Sequence, residues 1–414
     1  MKIAILGTGI SGLFCAYLLQ RHHDLAVYEA NEYVGGHAHT VDVSLDDKPF
    51  AVDTGFIVFN PATYPNFIKL LDRLGVPSRE TSMSFSVRCD PTGLEYGSDS
   101  LNALFAQRRN LVRPRFLGLI QEILRFNQAG RTFLAHGDEK TTLGSFLEIG
   151  RFSQSLLEHY ILPMGAAIWS TDPKRLSEFP ARCFLRFFEN HGLLHAFGHP
   201  IWRTVEGGSR TYVRAISAGF TDRIRTKTPI ERVIRHEDHV EITPRDGESE
   251  RFDQVIIATH ADQALRLLAD ASETERQLLR AFPYQANDVV LHTDRRLLPR
   301  SQRAWSSWNY RASGEHSQRV AVTYNLSMLQ HHQTSEPFCV TLNQTDQIDS
   351  DKILRRMTYH HPTYGLDSFD AQRRYNEIGG RRRTHFCGAY WGYGFHEDGV
   401  KSALRVAQAL GATW

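Results

Sequence analysis

Positions 392 to 399 read GYGFHEDG, and three neighbours in that stretch, His396, Glu397 and Asp398, carry groups able to move a proton or hold a cation. Their spacing argues against a metal: ligands on one helix recur at i, i+3 or i+4, whereas consecutive side chains at a helix start point in different directions. No metal site is therefore expected. Proton transfer is the other chemistry open to the stretch, with His396 and Tyr390 as candidate carriers. Glu397 and Asp398 are placed to cap the amides of the helix that follows, or to make polar contacts with a ligand. Tyr390, Trp391, Tyr393 and Phe395 form a denser aromatic group than a turn requires, and either face a substrate or pack the loop. The pairs His22-His23, His331-His332 and His360-His361 have no ligand frame and are expected to be surface or packing residues.

A ligand for that loop to face is suggested at the other end of the chain. Gly7, Gly9 and Gly12 follow the apolar run Lys2–Leu6 and open a helical rhythm through Leu13, Phe14 and Leu19. The first glycine allows a tight turn, the second lets backbone approach a pyrophosphate, and the third lets the helix pack on the sheet. The amides at Ile10 and Ser11 then face phosphate. Glu29, seventeen residues after Gly12 and at the end of the next buried run, stands where a carboxylate holds ribose hydroxyls. Strand, glycine turn, helix and strand make a βαβ unit for NAD or FAD, and these residues alone do not choose between them.

The elements that position these groups are spread along the whole sequence. From about residue 98 to 194 the pattern turns to long amphipathic segments, such as FLGLIQEILRF and RCFLRFFENHGLL, which predict a helical insertion. Alternation in PIERVIRHEDHVEITP and the apolar run in DQVIIATH predict strands, and NDVVLHTD, RVAVTYNL and PFCVTL predict a further β-rich block. The fold class expected is α/β (α+β overall). A Rossmann-type domain assembled from 1–75, 203–265 and 378–414 carries a helical and β-sheet substrate domain at 76–202 and 266–377.

After the ribose carboxylate come NEYVGGHAHT and FAVDTGFIVFN, and here the chain resembles the flavin-containing amine oxidase and phytoene desaturase superfamily. WRTVEGGSRTYV and the closing FCGAYWGYGFHEDGVKSALRVA are similar to its later flavin segments. The resemblance implies FAD, held through Gly7, Gly9, Ile10, Ser11, Gly12, Glu29, Ala30, Gly36, His37, Thr54, Gly55, Phe56, Val233, Gly388, Glu397, Asp398 and Gly399. It implies that the backbone at Val233 meets adenine and that Tyr390, Trp391, Tyr393 and Phe395 face substrate. His37 stands where that group usually has arginine, so a fixed guanidinium charge is replaced by an imidazole. DTGFIVFN, HHPTY and GYGFHEDG are closer still to a bacterial group of NAD/FAD-binding oxidoreductases often encoded near cyclopropane-fatty-acid-synthase-like methyltransferases. This implies a fatty acyl or related lipid substrate for a desaturase, oxidase or isomerase, and a lipid-modifying methyltransferase as partner. The alternatives are an amine or amino-acid oxidase and a non-catalytic flavin-binding partner of such a methyltransferase.

Composition bounds the rest. A net charge of +2 over 414 residues gives no global bias toward nucleic acid, and none is expected as partner. Five scattered cysteines without C-x-x-C spacing read as reduced thiols. The start runs directly into the first strand, leaving no room for a secretory signal, so a cytoplasmic protein is expected. Arg108, Arg109, Arg113 and Arg115 flank Leu111, Val112 and Phe116, a basic amphipathic stretch suited to peripheral contact with the inner membrane face. A second dinucleotide fingerprint is absent from the sequence, so electrons are expected to pass to oxygen, a quinone or another carrier, or to return to substrate.

Overall fold

The computed structural model describes residues 1–169, 176–195, 200–312 and 321–414. Its central element is a five-stranded sheet in the order Ile224–Arg225, Asp24–Tyr28, Lys2–Leu6, Gln254–Ile257 and Thr384–Phe386, with every neighbour parallel. Strands from both ends and the middle of the chain thus lie side by side. Both faces of this sheet are covered, which is why its strands read as unbroken apolar runs. Ala4, Leu6, Ala26, Tyr28, Val255 and Ile257 share a core with Val233, Val240, Ile242 and Phe252 of a three-stranded antiparallel sheet. Alternate residues Ile3, Ile5, Leu25, Val27 and Ile256 share a second core with helices on the opposite face. Each of these large side chains contributes roughly 1.5–3 kcal/mol by leaving water.

The helix Ile10–Leu19 lies in that second core against the closing helix His396–Ala409. Gly399 makes the contact fit, because a Cβ there would stand 2.8 Å from Ile10 Cγ2 and 2.9 Å from Ser11 Oγ. Ser11 Oγ donates to the Gly399 carbonyl at 3.0 Å, tying the two helices together.

A seven-stranded sheet in the order Ile353–Pro362, Tyr284–His292, Cys339–Leu342, Val322–Asn325, Trp308–Ala312, Phe85–Cys89 and Leu94–Gly97 stands beside this unit. It contains the three strands expected in the β-rich block, together with Ile353–Pro362, Trp308–Ala312 and two strands from before residue 98. The expected helical insertion contains Pro114–His136, Leu143–Ile149, Leu162–Trp169 and Ala181–Asn190. Pro114, at the first turn of the longest of these, loses no helical hydrogen bond there. Phe116, Phe126, Phe184, Leu185 and Phe188 are buried in the core that this region shares with the sheets. Among the described residues no helix is long and apolar enough to cross a membrane.

Candidate functional site

The carboxyl ends of the parallel strands converge on one edge, where open α/β sheets bind ligands. Gly7 leaves the first strand with φ at +103°, and a Cβ on it would meet the Ala258 carbonyl oxygen at 2.9 Å. Gly12 lies so close beneath the turn that a Cβ would fall 1.9 Å from the Gly7 oxygen. Gly9 differs from both: its backbone is extended, with φ −62° and ψ 174°, and nothing lies within 4 Å of the Cβ position. Gly36, at φ +60°, leans on it, with 2.9 Å between its own Cβ position and Gly9 Cα. The open face of Gly9 is a cradle that any side chain would fill, in front of the first amides of helix Ile10–Leu19.

Glu29 ends the second strand and is 6% exposed. One carboxylate oxygen accepts from the Thr8 amide at 3.1 Å and from the Thr8 hydroxyl, the other from the Asn31 amide and side chain at 2.9 Å each. These bonds hold the carboxylate at the crevice, where ribose hydroxyls would exchange with the Asn31 side chain. A cavity of about 500 Å³ lies beside it, lined by Asn31, Glu32, Tyr33, His39, Lys227 and Arg355.

The segment after Asp53 is fixed by a buried network. Asp53 accepts from Thr40 Oγ at 2.6 Å, from the Ser209 amide and hydroxyl and from Gln330 Nε2, and burial pushes its carboxyl up to about 6. Thr54 meets the Tyr359 hydroxyl at 2.7 Å, and its amide donates to the His39 carbonyl. Gly55 is needed for packing, since a Cβ there would meet the His37 carbonyl oxygen at 2.1 Å. Phe56 stacks on His396, with ring centres 3.6 Å apart and 8° between planes.

That stack gives His396 a packing role. Its Nε2 also shares a 2.6 Å hydrogen bond with Tyr212 Oη, and burial pushes its titration down to about 3, so the ring is neutral near pH 7. Tyr390 is buried between Phe282 and Trp391, and burial raises its hydroxyl well above the usual range. Neither geometry favours proton transfer. The aromatic group divides: Tyr390 and Trp391 enter the core with Phe282 and Tyr375, whereas Tyr393 faces Phe369 and Phe395 stacks on Phe187. The four therefore do not form one wall.

The two acids split as well. Asp398 accepts from the Tyr393 and Phe395 amides at 3.0 Å each, which closes the loop before its own helix, and burial raises it to about 6. Glu397, expected to cap that same helix or to reach the flavin, instead caps another. It accepts from the Asn66 amide and side chain and from the Phe67 amide at 2.9 Å, the free donors at the start of helix Pro65–Leu74. Gly399, expected at the flavin, is occupied with helix packing, and Gly388 donates to Ser402 Oγ at 3.1 Å. Of the Val233 backbone, expected to meet adenine, the carbonyl accepts from the Ala269 amide at 3.1 Å.

Sequence reasoning missed His260, which begins helix Ala261–Leu267 beyond the fourth strand of the site, and it read His361 as a surface or packing residue. Both rings lie 5.7 Å from His37, centre to centre. Their positions, more than two hundred and three hundred residues from His37, offer no local signal. Among the described residues, one group brings three metal-ligating atoms within 4.8 Å of one another: His236 and His239, at the turn between strands Ile230–Arg235 and Val240–Pro244, and Glu241 in the second of those strands.

A parallel sheet with a glycine turn, a seated ribose carboxylate and an open cradle at Gly9 defines a dinucleotide-binding protein. The chain belongs to the flavin containing amine oxidoreductase family, which it matches over residues 10–338, and it is an FAD-dependent oxidoreductase. The same fold occurs in putrescine oxidase bound to putrescine (TM-score 0.68, 15% identity, 99% of each chain). It also occurs in the CLA-producing fatty acid isomerase from P. acnes (TM-score 0.70, 17% identity, 99% of this chain and 98% of that one). Cyclohexylamine oxidase from Brevibacterium oxydans IH-35A is similar at TM-score 0.69 and 15% identity, over 99% of each chain. In sequence, 15-cis-phytoene desaturase of Synechococcus elongatus is 36% identical over 80 residues, 19% of this chain and only 16% of that protein's length.

Proposed function

We propose that the protein oxidises, desaturates or isomerises a fatty acyl or related lipid, acting in the cytoplasm at the inner face of the membrane. The observation that carries this reading is an apolar surface set among arginines. Leu111 and Val112 are 51% and 81% exposed, set in sequence among Arg108, Arg109, Arg113 and Arg115, and Leu101, seven residues before Arg108, is 75% exposed. Arg108 donates to the Phe105 carbonyl at 2.8 Å and Arg109 to the Gly93 carbonyl, which fixes the 3-10 turn Arg108–Val112. Exposed leucine and valine flanked by fixed cations suit the boundary of an anionic bilayer, where an acyl chain could be drawn out. The fatty acid isomerase and the phytoene desaturase show that this fold and part of this sequence occur in proteins named for such substrates.

Bound FAD supplies hydride acceptance from a substrate carbon. The glycine turn and Glu29 would hold the nucleotide end of FAD, and the Asp53 network fixes the segment Thr54–Phe56. The test is anaerobic mixing of the yellow holoprotein with unsaturated and methylated fatty acyl lipids and, separately, with amines. Bleaching by a lipid, or double-bond migration in a lipid without net bleaching, supports the reading. Bleaching by amines alone overturns it in favour of an amine oxidase. A flavin inert to both, with a stable methyltransferase complex, overturns it in favour of a non-catalytic partner.

A further inference from the structure

Three imidazoles meet at the mouth of the glycine turn, each delivered by a different element. His37 follows Gly36, which rests on Gly9. His260 follows Ala258 and Thr259, whose backbone walls Gly7. His361 lies near the end of strand Ile353–Pro362, opposite Gln285. The His37 ring is centred 5.7 Å from both partners. All three residues are half-buried, and the Nε2 of His37 is shielded from solvent without a hydrogen-bond partner. A shielded polar nitrogen of this kind destabilises the fold unless a ligand satisfies it.

The charges around the cluster explain its state. Burial, then repulsion from neighbouring imidazoles, that of His360 among them, pushes His37 down to about 4 and His260 and His361 to about 3; a hydrogen bond with the His360 backbone partly offsets this at His37. Tyr359 flanks His37 at 5.4 Å, His39 and His396 are close enough to interact with its charge, and Tyr284 stacks on His260 at 4.4 Å. Arg266 adds positive potential at His260 and is itself paired with Asp262 at 2.7 Å. Without a ligand the cluster is therefore neutral. A diphosphate placed on the open face of Gly9 would add negative charge beside it, and nearby negative charge favours imidazolium.

We propose that His37, His260 and His361 clamp the diphosphate of FAD and take up protons as the cofactor binds, in place of one permanently charged guanidinium. The proposal rests on the FAD assignment and concerns how this chain grips that cofactor. The sign follows from linkage: the loaded form binds more protons than the empty form, so affinity rises as pH falls. The gain is about tenfold per pH unit for each proton taken up, between the empty-site and loaded-site titrations.

The test starts from holoprotein whose flavin content, about one FAD per chain, secures the cofactor assignment independently. Dilution and ultrafiltration at steps from about pH 5 to about pH 8, the interval in which histidine switches, give the free FAD by fluorescence. Circular dichroism of the retained protein separates release from unfolding. The expected result is an apparent Kd that climbs with pH, by about tenfold per unit over part of the range. In His37→Arg, whose charge does not titrate below pH 12, the climb should flatten. Release independent of pH, or an equal slope in His37→Arg, overturns the proposal. So does a slope that appears in the flavin midpoint potential and not in release, because the cluster would then act on the ring rather than on the diphosphate.

Discussion

Gly9→Val separates the cofactor from the fold. The residue has an extended backbone open to any L amino acid, and nothing lies within 4 Å of the position where its Cβ would stand. Valine can therefore be built without strain, and restricting the unfolded chain should stabilise the empty protein by about 0.4–1 kcal/mol. The same side chain occupies the approach of the pyrophosphate. One added carbon displaces a phosphate by roughly the 1.5 Å of a C–C bond, which takes a 2.9 Å hydrogen bond from a helix amide beyond useful range. Hydrogen bonds to charged groups contribute about 1.5–3 kcal/mol each. Losing two costs roughly 3–6 kcal/mol, or about 10²- to 10⁴-fold in Kd. The assay is flavin absorbance per chain after purification, read beside thermal unfolding. Wild-type protein at a hundred times its Kd in FAD gains about 2.7 kcal/mol from the ligand, and the variant, its Kd weakened at least a hundredfold, should gain less than about 0.5 kcal/mol. It should purify colourless, with unchanged circular dichroism and a melting temperature slightly above that of flavin-stripped wild type. A yellow Gly9→Val protein with one FAD per chain would refute the placement of the diphosphate.

Gly12→Ala should fail in the opposite way, because its Cβ would lie 1.9 Å from the Gly7 oxygen; the overpacking should lower stability by about 1–3 kcal/mol, measured as a lower denaturant midpoint with or without FAD. Glu397→Ala strips the acceptor from the Asn66 and Phe67 amides and should cost about 1–2 kcal/mol while FAD content stays at wild-type level; lost flavin with unchanged stability would return Glu397 to the cofactor. His396→Phe keeps the stack on Phe56 and leaves Tyr212 Oη unpaired, costing about 1–3 kcal/mol. Once a substrate is identified, its turnover should stay close to wild type; a fall of about 10²-fold, the usual contribution of a general acid or base, would make His396 a proton carrier.

The glycine turn was legible because its logic is local: three glycines, a strand before and a helix after, each requirement satisfied within a dozen residues. Glu29 followed from the same unit. The loop at 392–399 was only half legible. Asp398 caps amides three and five residues away, as an acid at a helix start commonly does, but Glu397 serves Asn66 and Phe67, more than 300 positions earlier. Nothing in the neighbourhood of Glu397 announces that partner. The histidines show the same limit more sharply. Adjacent pairs such as His360-His361 look unremarkable in sequence, and it is the antiparallel pairing of Ile353–Pro362 with Tyr284–His292 that brings the first of those strands to the glycine turn. Val233 was correctly expected on a strand, but what its carbonyl meets depends on where Ala269 folds back.

The pairing of Ser11 with Gly399 also sets a timetable. The first strand and its glycine turn leave the ribosome at the outset, yet the last strand of their sheet is Thr384–Phe386, and the helix that covers Ile10 and Ser11 ends at Ala409. Contacts that span nearly the whole chain form late, because loop closure must come before they stabilise anything. During synthesis the nascent nucleotide unit therefore waits with one apolar face of its first helix unmet. Cofactor capture belongs to the finished polypeptide, and a chain released before residue 396 should emerge colourless however well its first βαβ unit has formed.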